Sequence, residues 1–350
     1  MAGMISIERT RTMIEAVRDI PPLPSFLKNT FFPGRRTFLT EEVDFDYKKG
    51  VRQMAPFVAP MVGGIPLERA GYETKTFRTP RISPERPIST DQLRKRSMGE
   101  AVYSNKTPAE RAVEMQAQDY TDLDEAISLR EEWMCRQLLV EGKIVVKGLA
   151  NSGDSVEMQI DYGFTNKETL TGTDLWTNAA SDPMEQLIEW RKEIVSGSGI
   201  SPNVLLMDSR TAMTLLNNAK FIKYYDVRRY NFGTIEPEIR EPLLSYYGRI
   251  PIIGSELYAY DAMFKDPDTG VETPFIPENT VLLLSTTTPG SIYYGAITYM
   301  DNAGQYHTVA LERVPLVYID TDSSVSTLRT QSRPLPMPVN VDGWAVKVVA

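Results

Sequence analysis

The 350-residue chain predicts an α+β fold, and three observations carry that reading. One long helix has clear signals at both ends, from Thr107 to Gly142. Apolar segments of period two follow it, as expected of strands lying against a helix. From Asp182 onward, strand and helix patterns alternate in a second, mixed region. With 42% hydrophobic and 24% charged residues, the composition is that of a folded protein with room for two ordinary domains.

Residues 1–20 have no secretory apolar core, because Glu8, Arg9, Glu15 and Asp19 interrupt them. Their apolar positions Met4, Ile7, Met13, Ile14, Val17 and Ile20 suit a short amphipathic helix or an untethered tail. Pro21, Pro22 and Pro24 favour an extended arm reaching Pro33, with Phe26, Leu27, Phe31 and Phe32 as its docking anchors. Further on, Pro56, Pro60, Pro66, Pro80, Pro84 and Pro87 each remove a backbone donor and fix φ. That stretch reads as extended segments and loops without a core of its own. Gly63 and Gly64 let it bend as a hairpin or approach a neighbour closely.

The long helix starts sharply. Thr107 suits the N-cap, Pro108 the first helical position and Glu110 the capping box, and Gly142 is the stop. At 1.5 Å per residue its length is on the order of 50 Å, more than a compact domain usually spans. Its charge opposes that of the segment before it. Tyr72 to Met98 holds seven cations against three carboxylates, a balance of +4, whereas Thr107 to Glu141 holds three cations against nine carboxylates, a balance of −6. Repulsion within the helix favours a basic surface laid across it, and the preceding loop is the obvious candidate.

After the helix, Lys143 to Lys147 and Val156 to Tyr162 read as paired strands, with Met158, Ile160 and Tyr162 on one face. Asp182, Pro183 and Glu185 then repeat the capping pattern, and Met184, Leu187, Ile188 and Val195 form an apolar stripe ending at Gly197. Val204 to Met207 is a buried-type strand, Asp208 caps the next helix, and Ala212, Leu215, Leu216 and Ala219 line its inner face. Strands follow at Ile250 to Ile253, Val281 to Ser285, Ser291 to Thr298 and Val314 to Ile319, with Pro289 and Gly290 turning a hairpin. The segment from Arg333 to Pro338 is extended and Pro-rich. A final strand, Trp344 to Val349, awaits a partner distant in sequence, which the first region's sheet would supply.

Catalytic chemistry has little to stand on here. His307 is the only histidine and Cys135 the only cysteine, so standard zinc sites and intrachain disulfides are excluded. Cys135 lies among Trp133, Met134 and Leu138, as a buried helix residue of a protein from a reducing compartment does. Asp320 and Asp322 offer oxygens to a hard cation but lack the EF-hand spacing, and they read as a strand-end turn. Gly197-Ser198-Gly199 follows a helix rather than opening one, so it is a cap and not a phosphate loop. A net charge of −8 argues against a protein that grips nucleic acid. No apolar run approaches the roughly 18 residues of a membrane span.

The ordered pieces resemble the major capsid proteins of tailed phages related to the lambda E protein, with the Hong Kong 97-type fold. The residues that carry the resemblance are Thr37-Phe38-Leu39-Thr40-Glu41-Glu42-Val43, Met54 to Gly64, Phe77 to Pro84 and the Gly142-Lys143-Ile144-Val145 junction. The resemblance implies an N-terminal arm at 1–46, an extended E-loop hairpin at 47–97, and a spine helix with a peripheral-domain sheet at 98–180. An axial domain at 181–320 and a return to the peripheral sheet at 321–350 complete it. It implies hexamers and pentamers in an icosahedral virion shell assembled in the host cytoplasm. A separate scaffolding protein, a portal and a decoration protein are the implied partners, and double-stranded DNA is enclosed without sequence-specific binding, cofactor or catalysis. Contacts between subunits are then expected from Lys75, Arg78, Arg81 and Arg86 of the E-loop and from Phe26, Phe31 and Phe32 of the arm. Glu110, Glu114, Asp122 and Glu125 make the acidic face of the spine helix. Some members of the wider fold crosslink a loop lysine to an asparagine, but neither Lys75 nor Asn340 lies in a matching motif.

Other readings give different observations. An encapsulin-like compartment would carry a cargo enzyme instead of DNA. A hydrolase using Asp320 and Asp322 would lose its activity on their replacement, and an adaptor would sediment as a monomer.

Overall fold

The computed structural model describes residues 23–40, 42–47, 73–95, 106–149, 155–226, 238–241, 243–266, 270–301, 304–320, 322 and 324–350. The expected helix or tail at 1–20, the prolines at 56, 60 and 66 and the Gly63–Gly64 bend lie outside the described residues.

The long helix spans Pro108–Glu141, 34 residues. At its start the Glu110 N–H donates to Thr107 Oγ1 and the Thr107 N–H donates to the Glu110 carboxylate at 2.8 Å, so two orphan donors are satisfied. At its end Gly142 adopts φ +72° and donates to the Leu138 carbonyl. Only the C-terminal half is buried, with Leu123, Ile127, Met134, Cys135 and Leu138 turned inward. The chain then runs into an antiparallel hairpin of Lys143–Leu149 and Ser155–Asp161, whose Ile144 and Ile160 pack on the helix end.

A seven-stranded mixed sheet forms the wall between two cores. Its order is Lys167–Thr169, Ala345–Val348, Thr280–Leu284, Val204–Met207, Ser255–Tyr260, Leu244–Ile250 and Glu238–Glu241. Every residue of Val204–Met207 and Thr280–Leu284 is buried, as strands covered on both faces require. Alternate residues serve opposite cores. Val204, Leu206, Leu282 and Leu284 face the core shared with the long helix. Leu205, Met207, Val281 and Leu283 face the core beneath helices Pro183–Ser198, Ser209–Leu216 and Ala219–Asp226.

Several expected elements shift. Asp182 caps its helix as the sequence predicts, but the helix passes Gly197 and stops at Gly199, φ +72°. Its buried stripe is Met184, Leu187, Trp190 and Ile194, which leaves Ile188 and Val195 exposed, because Trp190 occupies the side facing Trp176. The strand expected at 250–253 ends at Ile250 in favour of a turn. Ser291 to Thr298 divides at Gly295 into two strands in different sheets. Gly290 turns no hairpin; its N–H donates to the Phe31 carbonyl, and Ser291–Tyr294 pairs in parallel with Gly34–Thr37 and antiparallel with Pro334–Met337. The last strand pairs on one side with Lys167–Thr169 of the first region and on the other with Thr280–Leu284, in the seven-stranded sheet rather than with the Lys143–Leu149 hairpin.

The expected grouping of residues 181–320 also divides. Val314–Asp320 pairs with Val325–Gln331, which pairs with Glu85–Ser89, and this three-stranded sheet lies across the long helix. A further pair, Glu42–Tyr47 with Glu73–Arg78, is antiparallel over six positions, with Phe77 stacked on Tyr162.

Gly142→Ala should lower subunit stability by about 1–2 kcal/mol through the left-handed backbone alone, and by more because a Cβ there would lie 2.3 Å from Phe164 Cβ. Denaturant midpoints of the purified variant measure it.

Candidate assembly site along the long helix

Two adjacent carboxylates on the long helix organise its surroundings. Glu132 is fully buried and takes the start of the short helix Phe26–Phe31. Its Oε1 accepts the Leu27 N–H at 2.8 Å and its Oε2 accepts the Lys28 N–H at 2.7 Å, while the Tyr260 hydroxyl donates to Oε1 at 3.0 Å. The short helix has no side-chain cap of its own, so Glu132 supplies one from 104 residues away and opposes the positive end of the helix dipole. Burial pushes the Glu132 carboxyl above its ordinary value, although all three donors favour the anion.

Glu131, beside it, holds two cations. Lys28 Nζ donates at 2.9 Å, and Arg313 reaches both carboxylate oxygens at 2.7 and 3.1 Å in a fork. Arg313 Nε also donates to Asp124 at 2.6 Å, and its remaining N–H groups reach Ser128 and Ser332 at 3.2 Å. Burial alone would raise the Glu131 carboxyl, but Arg313 and Lys28 outweigh it and hold it below its ordinary value. One side chain thus ties the N-terminal segment, the long helix and the start of strand Val314–Asp320 together.

These contacts correct part of the expected assignment. Phe26, Phe31 and Phe32 are core residues of the subunit rather than contacts between subunits: Phe26 lies edge-on to Phe31 and against Tyr258 and Tyr260. The segment carrying them is a helix and not an extended arm, because Glu131 and Glu132 hold it on the long helix. Arg86 donates to Asp119 at 2.9 Å and Asp122 at 2.5 Å, and Arg81 donates to Gln331 at 3.0 Å, so both are partnered within the chain. The basic segment does cross the acidic helix, but in the same molecule. Arg78 is exposed at the end of strand Glu73–Arg78, and Lys75 lies in that strand opposite Phe45. Of the acidic face, Glu110 is engaged in the cap, Glu114 accepts from Lys106, and Asp122 is held by Arg86. Glu125 is half-buried. The sequence reading missed the roles of Lys28, Glu131, Glu132 and Arg313. A signal was present, since Glu131 stands four residues from both Ile127 and Cys135, inside the apolar stripe.

Beyond this cluster the helix is covered on one side only, by the small three-stranded sheet and helix Thr90–Arg94. No side chain between residues 108 and 122 is buried. Ala109, Val113, Ala117 and Thr121 form an exposed stripe at four-residue spacing, and Val113 keeps 67% of its surface. Elsewhere the chemistry is sparse. The Cys135 thiol is buried and pushed up by burial, His307 is exposed 3.0 Å from Asp301, and Asp320 accepts the Asp322 N–H in a strand-end turn. Among the described residues, no His, Cys, Asp and Glu side chains gather as a metal site, and no helix is long and apolar enough to cross a membrane.

The mixed helix-and-sheet fold is shared with phage capsid proteins. A prophage capsid protein of Escherichia coli CFT073 superposes with a TM-score of 0.65 at 19% identity, covering 98% of each chain. The capsid of cyanophage P-SCSP1u gives 0.52 at 8% identity over 95% of this chain and 90% of the other. Residues 9–348 match the family of phage major capsid protein E, and the chain belongs to it. The major capsid protein of phage P21 is 26% identical over 90% of this chain and 91% of its own length, and that of Escherichia phage lambda 25% identical over 91% and 92%. The chain is therefore a phage major capsid protein, a structural part of the virion.

Arg313→Ala should cost the subunit about 3–5 kcal/mol, because Glu131 is left buried with a single cation. Arg86→Ala should cost under about 1 kcal/mol, since that pair is open to solvent. Because the Glu131 value is lowered in the fold, its contribution is complete above the ordinary value of 4.5 and lost as pH falls through the folded one. Urea titrations should show a flatter acid dependence in Glu131→Gln.

Proposed function

We propose that this protein closes, as hexamers and pentamers, into an icosahedral shell enclosing phage double-stranded DNA. The observation that carries the reading is the exposed face of the long helix's N-terminal half, where Ala109, Val113, Ala117 and Thr121 line about 22 Å of helix at 1.5 Å per residue and no side chain is buried in its own subunit. A helix that remains polar and apolar on one exposed side gains stability from a neighbour rather than from its own core.

In this reading the long helix is the spine. The hairpin rooted in Glu42–Tyr47 and Glu73–Arg78 is the base of an E-loop reaching over the next copy, with Lys75 and Arg78 as its cations. The seven-stranded sheet and its three covering helices form the axial domain. Arg81 and Arg86 serve another purpose, setting the angle at which that loop leaves the subunit. The net charge of −8 disfavours gripping a phosphate backbone, which suits enclosing DNA without binding it. A scaffolding protein, a portal and a decoration protein are the partners that such a shell takes during assembly in the host cytoplasm.

Expression of the full chain with its scaffold, followed by negative-stain microscopy, should give closed shells. Val113→Asp with Ala117→Arg should leave the thermal midpoint within a few degrees of the parent and abolish those shells. Particles of normal number from that variant would contradict the assignment of the exposed helix as an interface. Nuclease-protected nucleic acid inside native particles distinguishes a genome shell from a cargo compartment.

A further inference from the structure

We draw no further inference here: the strongest candidate, the exposed face of the hairpin Ile297–Met300 with Tyr306–Val309, where Tyr306 keeps 78% and Met300 48% of its surface, is an apolar face with nothing in the structure to show what covers it.

Discussion

Burying two neighbouring carboxylates on one helix is costly, and the rest of this subunit is arranged around meeting that cost. Each ion taken from water loses several kcal/mol unless charges and donors replace its hydration. Glu132 receives three donors and Glu131 two cations, drawn from three separate parts of the sequence. An apolar pair at these positions would tolerate several docking angles for the Phe26–Phe31 helix. Directional bonds to Leu27 and Lys28 tolerate one. The cluster therefore fixes where the N-terminal segment crosses the helix and where strand Val314–Asp320 begins.

The same cluster divides the long helix in function. On its C-terminal side the helix is ordinary core, with Leu138 and Cys135 packed against the seven-stranded sheet's layer. On its N-terminal side it carries what Arg86, the small sheet and helix Thr90–Arg94 lay over one face. A single element is thus anchored at one end and offered at the other. Such division suits a protein whose subunit must be rigid and whose contacts must be shared among many copies.

Local chemistry was legible in the sequence; distant pairing was not. Thr107, Pro108, Glu110 and Gly142 announce a helix by groups within four residues of each end, and Asp182 and Asp208 do the same for theirs. The hairpin after Gly142 follows from alternation alone. Nothing local tells Gly34–Thr37 to pair in parallel with Ser291–Tyr294, or Pro334–Met337 to become a buried strand despite two prolines. Proline serves there because its lost N–H faces away from the ladder. In the candidate site Arg86 of the cationic segment lies on Asp119 and Asp122 of the acidic helix, but charge counting cannot distinguish a partner in the same chain from one in the next. Phe26, Phe31 and Phe32 were misjudged for a related reason, since their anchors are two glutamates that composition assigns to solvent.

Strand Ala345–Val348 sits between Lys167–Thr169 and Thr280–Leu284, in the interior of the largest sheet. The seam between those two strands stays open until residues 345–348 have been synthesised. The largest sheet, and with it the two cores on its faces, is therefore complete only after synthesis has passed residue 348. Timing of translation thereby separates the making of a subunit from its meeting with others.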